Sequence, residues 1–375
     1  MKKVLLLAPM SSVHERFNIA NINVLKGMQC ELHIAANFET DSRARQYAEN
    51  LKNSGVITHH IPFVRSSLLN NLKCIPKIRA LLKSERFDMV HCHTETGGIL
   101  TRLSITAAKN TKFVYTPHGM SFYKGCPLKA RLIYKPIEHF ICKKMAANIA
   151  MNGEELQVLN KWNRKTARFI HGIGVDIAAY KNAAADVAAK KKELGVPENA
   201  FVVLSVGELN QNKNQRVVLD ALSQIPGLPD NLCCLICGEG ELKAELQKTA
   251  AQKNITLVLP GYRYDMPEIF KIADIFVFPS FHEGLPVSVI QAMANGLPIV
   301  CSNIRGNVDL IENGKGGFLC NPNSAEEFAA ALSKLFNSPE LCRQFGAVNL
   351  ENSQMYDVKN VEKETLEIYK EVLPE

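Results

Sequence analysis

The segment 275–300 reads IFVFPSFHEGLPVSVIQAMANGLPIV and contains the pattern of a strand, a turn, a helix and a second strand. Its first residues, IFVFPS, form an apolar run typical of a buried strand, and FHEGLP is a turn signal. Pro286 suits the first position of a helix, and Gly296 followed by Pro298 predicts where that helix ends. Such alternation of strands and helices is typical of parallel sheets covered by helices.

The same alternation extends over the whole chain of 375 residues. The strand-like runs are VLLLA, ELHIAA, FDMVHCH and KFVYTPHG in the first half, and FVVLSVG, LCCLICG, ITLVLPG, IFVFPS and PIVCS in the second. Helix-length amphipathic segments separate these runs. Each half therefore predicts its own doubly wound, Rossmann-like α/β domain with a parallel sheet.

The boundary between the predicted domains follows a glycine-rich turn, HGIGVD. We predict a first domain over 1–180, a second over 181–354, and a final helix at about 355–375 that packs back on the first domain. Ligands of open α/β sheets bind at the carboxyl ends of the strands. We therefore expect the two domains to face a central cleft.

Cysteine usage indicates the compartment. Eleven cysteines are scattered through the chain, which suits a reducing cytoplasm better than a disulfide framework. Cys234 and Cys237 form a C-x-x-C, but strand alternation predicts that they point to opposite faces of a sheet. VHCH at 90–93 follows an apolar run, and no second cluster at zinc spacing accompanies it, so we predict no metal site.

The start of the helix in the opening segment is a candidate anion site. Backbone N–H groups around Gly284 to Val287 lack helical partners, and an anion binds well at such a position. Gln291 lies one turn further, on the face beneath that helix start. This arrangement suits a phosphorylated ligand whose other part reaches Gln291. The alternative is an ordinary strand–turn–helix joint.

Two further residues follow strand-like runs and are expected at the same edges of the sheets. Lys213 lies in SVGELNQNKNQ after the strand 201–206, and His118 lies in YTPHGMSFYKG. A lysine of this kind is often only a solvated surface residue. A histidine beside glycine at the carboxyl end of a strand is a better candidate for a functional site.

Together these segments resemble glycosyltransferase family 4, the retaining nucleotide-sugar transferases of the GT-B fold. The resemblance covers nearly the whole chain and is strongest toward bacterial enzymes of exopolysaccharide, capsule and lipopolysaccharide synthesis. The motifs that carry it are DMVHCHTETGG, YTPHGMSFYKG, HGIGVD, SVGELNQNKN, GYRYDMPEI, FPSFHEGLPVSVIQAMANGLPIV and SNIRGNVDLI.

The resemblance implies roles for particular residues. Glu283 matches the first glutamate of the family pair, which faces the donor sugar, and His118 matches the histidine close to the transferred sugar. The donor-binding positions that match are Lys213 at the diphosphate, Gly284, Leu285 and Val287 at the phosphate-binding helix start, and Tyr262 and Arg263 in the loop that holds the base.

Three features depart from the family pattern. Glu208 stands where many members carry an arginine that holds the diphosphate, and we expect Arg305 to supply that charge. Gln291 replaces the glutamate that binds the ribose hydroxyls; an amide can still bind hydroxyls, so we expect the enzyme to be active. The glycine-rich loop after the first strand is absent, and APMSSVHER takes its place.

The resemblance implies transfer of a hexose or an N-acetylhexosamine from a UDP-sugar, with retention, to a lipid-linked or saccharide acceptor. Metal-dependent transferases commonly use an Asp-x-Asp motif, and this sequence has none, so we expect no metal or other cofactor. Two alternatives stay open: a UDP-sugar epimerase or hydrolase on the same scaffold, and an inactive nucleotide-sugar-binding protein.

The charge of the chain is uneven. Up to Lys165 there are 25 basic and 11 acidic residues, whereas the remainder has 19 basic and 26 acidic ones. Basic and apolar residues alternate in LLNNLKCIPKIRALLK and PLKARLIYKPIEHFICKK, as in segments that lie on anionic membranes. With a polyprenyl-diphosphate acceptor, this predicts a cytoplasmic protein peripheral to the inner membrane face. No base-stacking motif supports nucleic-acid binding.

Overall fold

The structure is a computed structural model that describes residues 1–65, 67–228 and 230–374. Strands and helices alternate throughout this part of the chain. Its α-helices are α1 (Ser11–Phe17), α2 (Ile19–Gly27), α3 (Ser42–Asn53), α4 (Leu68–Asn71), α5 (Ile75–Glu85), α6 (Thr94–Ser104), α7 (Leu128–Cys142), α8 (Gly153–Asn163), α9 (Ile177–Lys181), α10 (Val187–Leu194), α11 (Arg216–Leu222), α12 (Lys243–Gln252), α13 (Met266–Lys271), α14 (Val287–Ala294), α15 (Asn307–Leu310), α16 (Ala325–Phe336), α17 (Pro339–Ser353) and α18 (Val358–Val372). Within the described residues, every helix is too short or too polar to cross a membrane.

The chain forms two compact units and returns to the first unit at its end. The first unit contains Met1–Gly174 and Val358–Glu375, and the second contains Val175–Asp357. The bounds predicted from the sequence place these divisions at 180 and 354. The structure therefore assigns the short helix α9 to the second unit.

The first unit contains a parallel sheet of seven strands. They are β1 (Lys3–Met10), β2 (Glu31–Asn37), β3 (Ile57–His60), β4 (Met89–His93), β5 (Lys112–Thr116), β6 (Ala147–Ala150) and β7 (Ala167–Phe169). Their order in the sheet is β3-β2-β1-β4-β5-β6-β7, and every pair is parallel. The order reverses between β1 and β4, which is where doubly wound sheets bind ligands.

The second unit repeats this arrangement with six strands. They are β8 (Phe201–Val206), β9 (Leu232–Cys237), β10 (Thr256–Val258), β11 (Ile275–Phe278), β12 (Ile299–Ser302) and β13 (Gly317–Cys320). Their order is β10-β9-β8-β11-β12-β13, again with parallel pairs only. The predicted fold class, two Rossmann-like parallel-sheet domains, is confirmed.

Side-chain alternation in β9 divides the core of the second unit into two layers. Cys233, Leu235 and Cys237 pack into one cluster of buried residues, and Cys234 and Ile236 pack into the other. This is the two-residue period of a strand buried on both faces. Cys234 and Cys237 therefore point to opposite faces, as predicted, and are plain core residues.

The final helix α18 packs on the first unit. The side chain of Tyr369 is fully buried there, and its hydroxyl accepts a hydrogen bond from Asn21 Nδ2 at 2.7 Å. Arg168 in β7 forms an ion pair of 2.6 Å with Glu371. Gly174 precedes the crossing to the second unit with a φ of 81°, and a Cβ added there would lie 2.9 Å from the Cα of Val358. Only glycine fits this approach without a shift.

A buried histidine makes the first unit sensitive to acid. His14 in α1 is fully buried, and its Nε2 lies 3.3 Å from the carbonyl oxygen of Ala35. A carbonyl only accepts, so Nε2 carries the proton, and Nδ1 accepts from Asn18 Nδ2 at 2.9 Å. Burial lowers the pKa of His14 from 6.5 to about 4.

We predict that acidification destabilises this protein through His14. Below pH 6.5 the unfolded chain takes up a proton that folded His14 accepts only near pH 4, so stability is lost as the pH falls through this window. Each such histidine contributes a slope of about 1.4 kcal/mol per pH unit. Urea unfolding between pH 7 and pH 5 measures this slope in wild type and in His14→Gln, which can still donate to a carbonyl. The variant should have the shallower slope, and equal slopes would contradict the prediction.

Candidate active site

The joint between β11 and α14 is built to leave backbone amides open. Pro286 precedes the helix with an extended backbone, and Val289 and Ile290 both donate to its carbonyl oxygen, at 3.2 and 3.4 Å. Among the described residues, no carbonyl accepts from the amides of Val287 and Ser288. The first turn of α14 also contains no acidic side chain. This helix start can therefore bind an anion.

The loop after β12 packs closely against this joint. Gly306 has a φ of 82°, and a Cβ added to it would overlap the carbonyl oxygen of Gly284 and lie 3.2 Å from Pro286 Cδ. A side chain at position 306 would therefore push the two loops apart. The contact explains why SNIRGN requires a glycine here.

Lys213 and Glu283 form an ion pair beside the start of α14. Lys213 Nζ lies 2.6 Å from Glu283 Oε1, and the two side chains are only 22% and 14% exposed. The stem of the lysine passes Gly207, where an added Cβ would lie 3.2 Å from Lys213 Cδ. Its ammonium also lies 5.0 Å from the ring centroid of Phe278. The lysine predicted from the sequence is thus held in place and is not a freely solvated surface residue.

Arg305 binds the backbone of the same residue. It is buried, and its Nε donates to the carbonyl oxygen of Glu283 at 3.1 Å. One of its terminal nitrogens lies 2.7 Å from Nε2 of His282, which can accept as a neutral imidazole. Lys213 thus pairs with the carboxylate of Glu283 and Arg305 with its backbone, and the three side chains together carry a net positive charge. Glu208, by contrast, is exposed.

Two asparagines that flank Lys213 in the loop after β8 position it, and neither was among the residues predicted from the sequence. The side-chain amide of Asn212 donates to the backbone carbonyl oxygen of His282 at 3.0 Å. The backbone carbonyl oxygen of Asn212 accepts from the backbone amide of Phe281 at 2.8 Å. Asn214 has a left-handed φ of 53° and donates to the carbonyl oxygen of Pro279 at 3.1 Å. The high frequency of asparagine in ELNQNKNQ could have indicated this role, because an asparagine side chain hydrogen-bonds nearby backbone groups and tolerates a left-handed φ.

Gln291 has a protein partner. Its side chain is hydrogen-bonded to the hydroxyl of Tyr180 in α9, and burial raises the pKa of that tyrosine to about 12. The backbone carbonyl oxygen of Gln291 accepts from Asn295 Nδ2 at 2.9 Å, so this bond does not use the side-chain amide. The amide therefore links α14 to α9. Its role toward a ribose stays a prediction.

The loop predicted to hold the base has exposed aromatic rings and an arginine that is paired with carboxylates. Tyr262 is 43% exposed, and its ring packs edge-to-face on Tyr264 with centroids 5.0 Å apart. Arg263 donates to both carboxylate oxygens of Asp265, at 2.8 and 2.6 Å, and to Glu193. The Arg263 guanidinium holds the pKa of Asp265 well below its usual value. Tyr262 is thus better placed than Arg263 to contact a base.

His118 belongs to the first unit, two residues beyond the end of β5. Its backbone is left-handed, with a φ of 58°, and Gly119 follows with a φ of 110°. Its Nε2 lies 2.9 Å from Nδ1 of His93, and its ring stacks on Phe17 with centroids 5.5 Å apart. Burial lowers the pKa of His118 to about 3, so it is a neutral imidazole at physiological pH.

One group in the first unit has the spacing of metal ligands. Ligand atoms of Glu31, His33 and Glu85 lie within 4.8 Å of one another. Lys3 Nζ already lies 2.9 Å from Glu31 and 3.2 Å from Glu85. A cation of the chain therefore compensates these carboxylates, and the group is separate from every residue predicted to act on the donor.

Two family models match the chain, one on each unit. Residues 3–152 match the model described as glycosyl transferase 4-like, and residues 186–349 match the model described as glycosyl transferases group 1. The first match covers most of the seven-stranded sheet, and the second covers the six-stranded sheet with the Lys213–Glu283 pair.

The chain is also similar to curated proteins over nearly its full length. EpsD of Bacillus subtilis (strain 168), named as a candidate glycosyltransferase, is 29% identical over 98% of this chain and 96% of its own. The UDP-Gal:alpha-D-GlcNAc-diphosphoundecaprenol alpha-1,3-galactosyltransferase of Escherichia coli is 30% identical over 87% of this chain and 89% of its own.

Among solved structures, HepE of Anabaena in complex with UDP and glucose superimposes with a TM-score of 0.80 at 18% identity. The match covers 99% of this chain and 100% of that one, so the fold is the same from end to end. Together with the relative of 30% identity, this confirms the resemblance. The chain belongs to the GT-B glycosyltransferases related to those of bacterial polysaccharide synthesis.

Proposed function

We propose that this glycosyltransferase moves a hexose or an N-acetylhexosamine from a UDP-sugar to a polyprenyl-diphosphate-linked or glycan acceptor, with retention and without a metal. The observation that carries the proposal is the Lys213–Glu283 pair, which lies beside the open amides of Val287 and Ser288. A nucleoside diphosphate is the leaving group in such a reaction, and this group of positive charges suits it.

The comparisons support the choice of donor and acceptor. The E. coli relative is named for a UDP-Gal donor and a diphosphoundecaprenol-linked acceptor. The HepE structures contain UDP, UDP with glucose, and UDP-glucose. Both relatives therefore favour a uridine diphosphate donor, and the first favours a lipid-linked acceptor.

The proposed mechanism is stabilisation of the leaving diphosphate. As the bond from the sugar to the diphosphate breaks, negative charge grows on the phosphate oxygens. An ammonium has three N–H donors, and Lys213 uses one toward Glu283, which leaves two for phosphate oxygens. The open amides at the start of α14 supply further donors, and Arg305 adds a second fixed cation. No Asp-x-Asp is present, so these groups take the part that a metal has in other transferases.

The carboxylate of Glu283 is the second element of the mechanism. Lys213 holds the carboxylate directly, and Arg305 donates to the backbone carbonyl oxygen of the same residue, so the protein sets the position of Glu283. We propose that it faces the donor sugar near the reacting carbon, as the family match implies. His118, which is neutral and carries one ring N–H, is the proposed hydrogen-bond donor to the transferred sugar.

The test is incubation of the protein with several nucleotide sugars, with and without a lipid-diphosphate acceptor and a chelator. We expect nucleotide release only with acceptor, no effect of the chelator, and NMR spectra of a product with the anomeric configuration of the donor. Release without acceptor would favour a hydrolase, and binding without release would favour an inactive protein. Loss of activity in chelator that manganese restores would contradict metal independence.

We predict that Lys213→Ala lowers turnover more than donor binding, because the charge that Lys213 meets grows as the bond breaks. The rate should fall on the order of 100-fold or more, with a modest change in UDP affinity. Lys213→Met is the matched variant, since it keeps the stem against Phe278 and removes only the charge. Both variants should lose rate equally. An unchanged rate would show that another cation, Arg305 first, stabilises the leaving group.

We also propose contact with an anionic membrane through α7. Four large apolar side chains on this helix are exposed: Leu128, Leu132, Ile133 and Phe140. Its basic residues are exposed as well. Its one acidic residue, Glu138, is fully buried and accepts from the hydroxyl of Tyr115 at 2.9 Å. The accessible surface of α7 is thus entirely basic, apolar or neutral, which matches an anionic lipid surface.

Charge reversal tests this surface. The variant carries glutamate in place of three exposed lysines: Lys129, Lys135 and Lys143. Each basic residue near an anionic membrane contributes about 1 kcal/mol, so vesicle binding should fall on the order of 100-fold. Transfer to a water-soluble acceptor should change little. Sedimentation with vesicles of anionic phospholipid at low and moderate salt is the measurement.

The control variant reverses three exposed lysines of the second unit that form no ion pair among the described residues: Lys192, Lys243 and Lys248. It changes the net charge by the same amount. Equal loss of binding in both variants would show that net charge, and not α7, drives association. If vesicle binding changed neither in the two variants nor with added salt, that result would contradict an electrostatic contact.

A further inference from the structure

Four histidines form a cluster in the first unit, and the proposed reaction gives a role to one of them, His118. The histidine cluster is His14, His91, His93 and His118, and its first three members are buried. The rings of His91 and His93 lie 4.0 Å apart between centroids, those of His93 and His118 lie 5.2 Å apart, and those of His14 and His93 lie 6.2 Å apart. His93 is therefore in contact with each of the others.

Hydrogen bonds determine the proton position on His91. Asn21 donates to the hydroxyl of Tyr369, and that hydroxyl lies 2.8 Å from Nδ1 of His91. The hydroxyl has one proton of its own, and donation to Nδ1 satisfies both buried groups. The proton of His91 then sits on Nε2, which lies 2.8 Å from Oγ1 of Thr116. The ring of His91 is thus fixed at both nitrogens, and it supports the ring of His93.

His93 has one partnered and one unpartnered nitrogen. Its Nδ1 lies 2.9 Å from Nε2 of His118, whereas its Nε2 is buried without a partner among the described residues. If His118 donated to His93, then His93 Nε2 would be a buried N–H with no acceptor. If His93 donates to His118, only a lone pair is left without a partner. Orphaned buried N–H groups are the rarer of the two in proteins, so the second arrangement is favoured.

We propose that His93 is a positioning residue for glycosyl transfer: its Nδ1–H donates to Nε2 of His118 and places the proton of His118 on Nδ1. His118 then presents an N–H donor, and not a lone pair, to a hydroxyl of the transferred sugar. The inference rests on the proposed function of His118. It goes beyond that function because it assigns the proton position and the residue that sets it.

The conformation of His118 explains why it needs such a partner. A φ of 58° is unusual for a residue with a side chain, and it persists only where the surroundings hold it. The ring of Phe17 packs against one face of the imidazole, and the bond to His93 fixes its rotation. Burial also lowers the pKa of His93 well below its usual value, so both imidazoles stay neutral and each carries a single ring N–H.

The test compares two substitutions at position 93. In His93→Asn, the side-chain amide nitrogen can occupy the position of Nδ1 and still donate to His118. In His93→Leu, the donor is removed. We expect His93→Leu to lower kcat by about 10-fold or more, the loss of one hydrogen bond of about 1.4 kcal/mol in the transition state, with KM within about threefold. His93→Asn should stay within about threefold of wild type in both.

Nitrogen-15 NMR of the imidazoles reads the proton position directly. In wild type and in His93→Asn, long-range couplings should place the proton of His118 on Nδ1, and in His93→Leu this preference should be lost. The control is His33→Leu, since His33 is also buried in the first unit but pairs with Glu31 and His59. It should change neither kcat nor the spectrum of His118.

A proton on Nε2 of His118 in the wild type would overturn the proposal, and so would full activity of His93→Leu. The spectrum needs no catalytic turnover, so it decides the proton position even if the protein proves to transfer no sugar. Should His93→Leu fail to fold, as judged by circular dichroism, the wild-type spectrum and the activity of His93→Asn decide the question.

Discussion

The ion pair between Lys213 and Glu283 is the interaction around which the candidate active site is organised. Each residue belongs to a loop at the carboxyl end of a neighbouring strand, β8 and β11, and the 2.6 Å contact joins those loops. A largely buried carboxylate without its cation would be costly, and so would the cation alone. The pair therefore holds a charged carboxylate and a charged ammonium side by side, next to the open helix start of α14.

The neighbouring loops support this arrangement. Asn212 and Asn214 tie the lysine loop to the β11–α14 joint through backbone carbonyls, and Gly306 lets the next loop approach closely enough for Arg305 to reach Glu283. The parallel sheet beneath places these loops at one edge, because each loop follows the carboxyl end of a strand. Because these contacts are made within the second unit, the proposed diphosphate site is preorganised, which is the condition for strong stabilisation of a developing charge.

Much of the fold could be predicted from the sequence, because nine apolar runs with clear strand patterns became strands of the two sheets. The strands β3, β6, β7 and β13 were not identified; each has three or four residues, and three of them lie at sheet edges, where pairing with a neighbour decides the structure. In the candidate site, the functional residues could be predicted from the sequence, but the side chains that they contact could not. Lys213 and Glu283 are 70 positions apart, and the bond of Gln291 to Tyr180 likewise depends on how α9 packs on α14.

The central claim is that the start of α14, with Lys213 and Arg305, binds the diphosphate of the donor. Calorimetric titration of the full chain with UDP and with uridine tests it most directly, since the two ligands share the base and the ribose. The account predicts that UDP binds at least about 100-fold more tightly, because two charge-assisted hydrogen bonds at about 1.5 kcal/mol each give that factor. Equal affinities for UDP and uridine would contradict it.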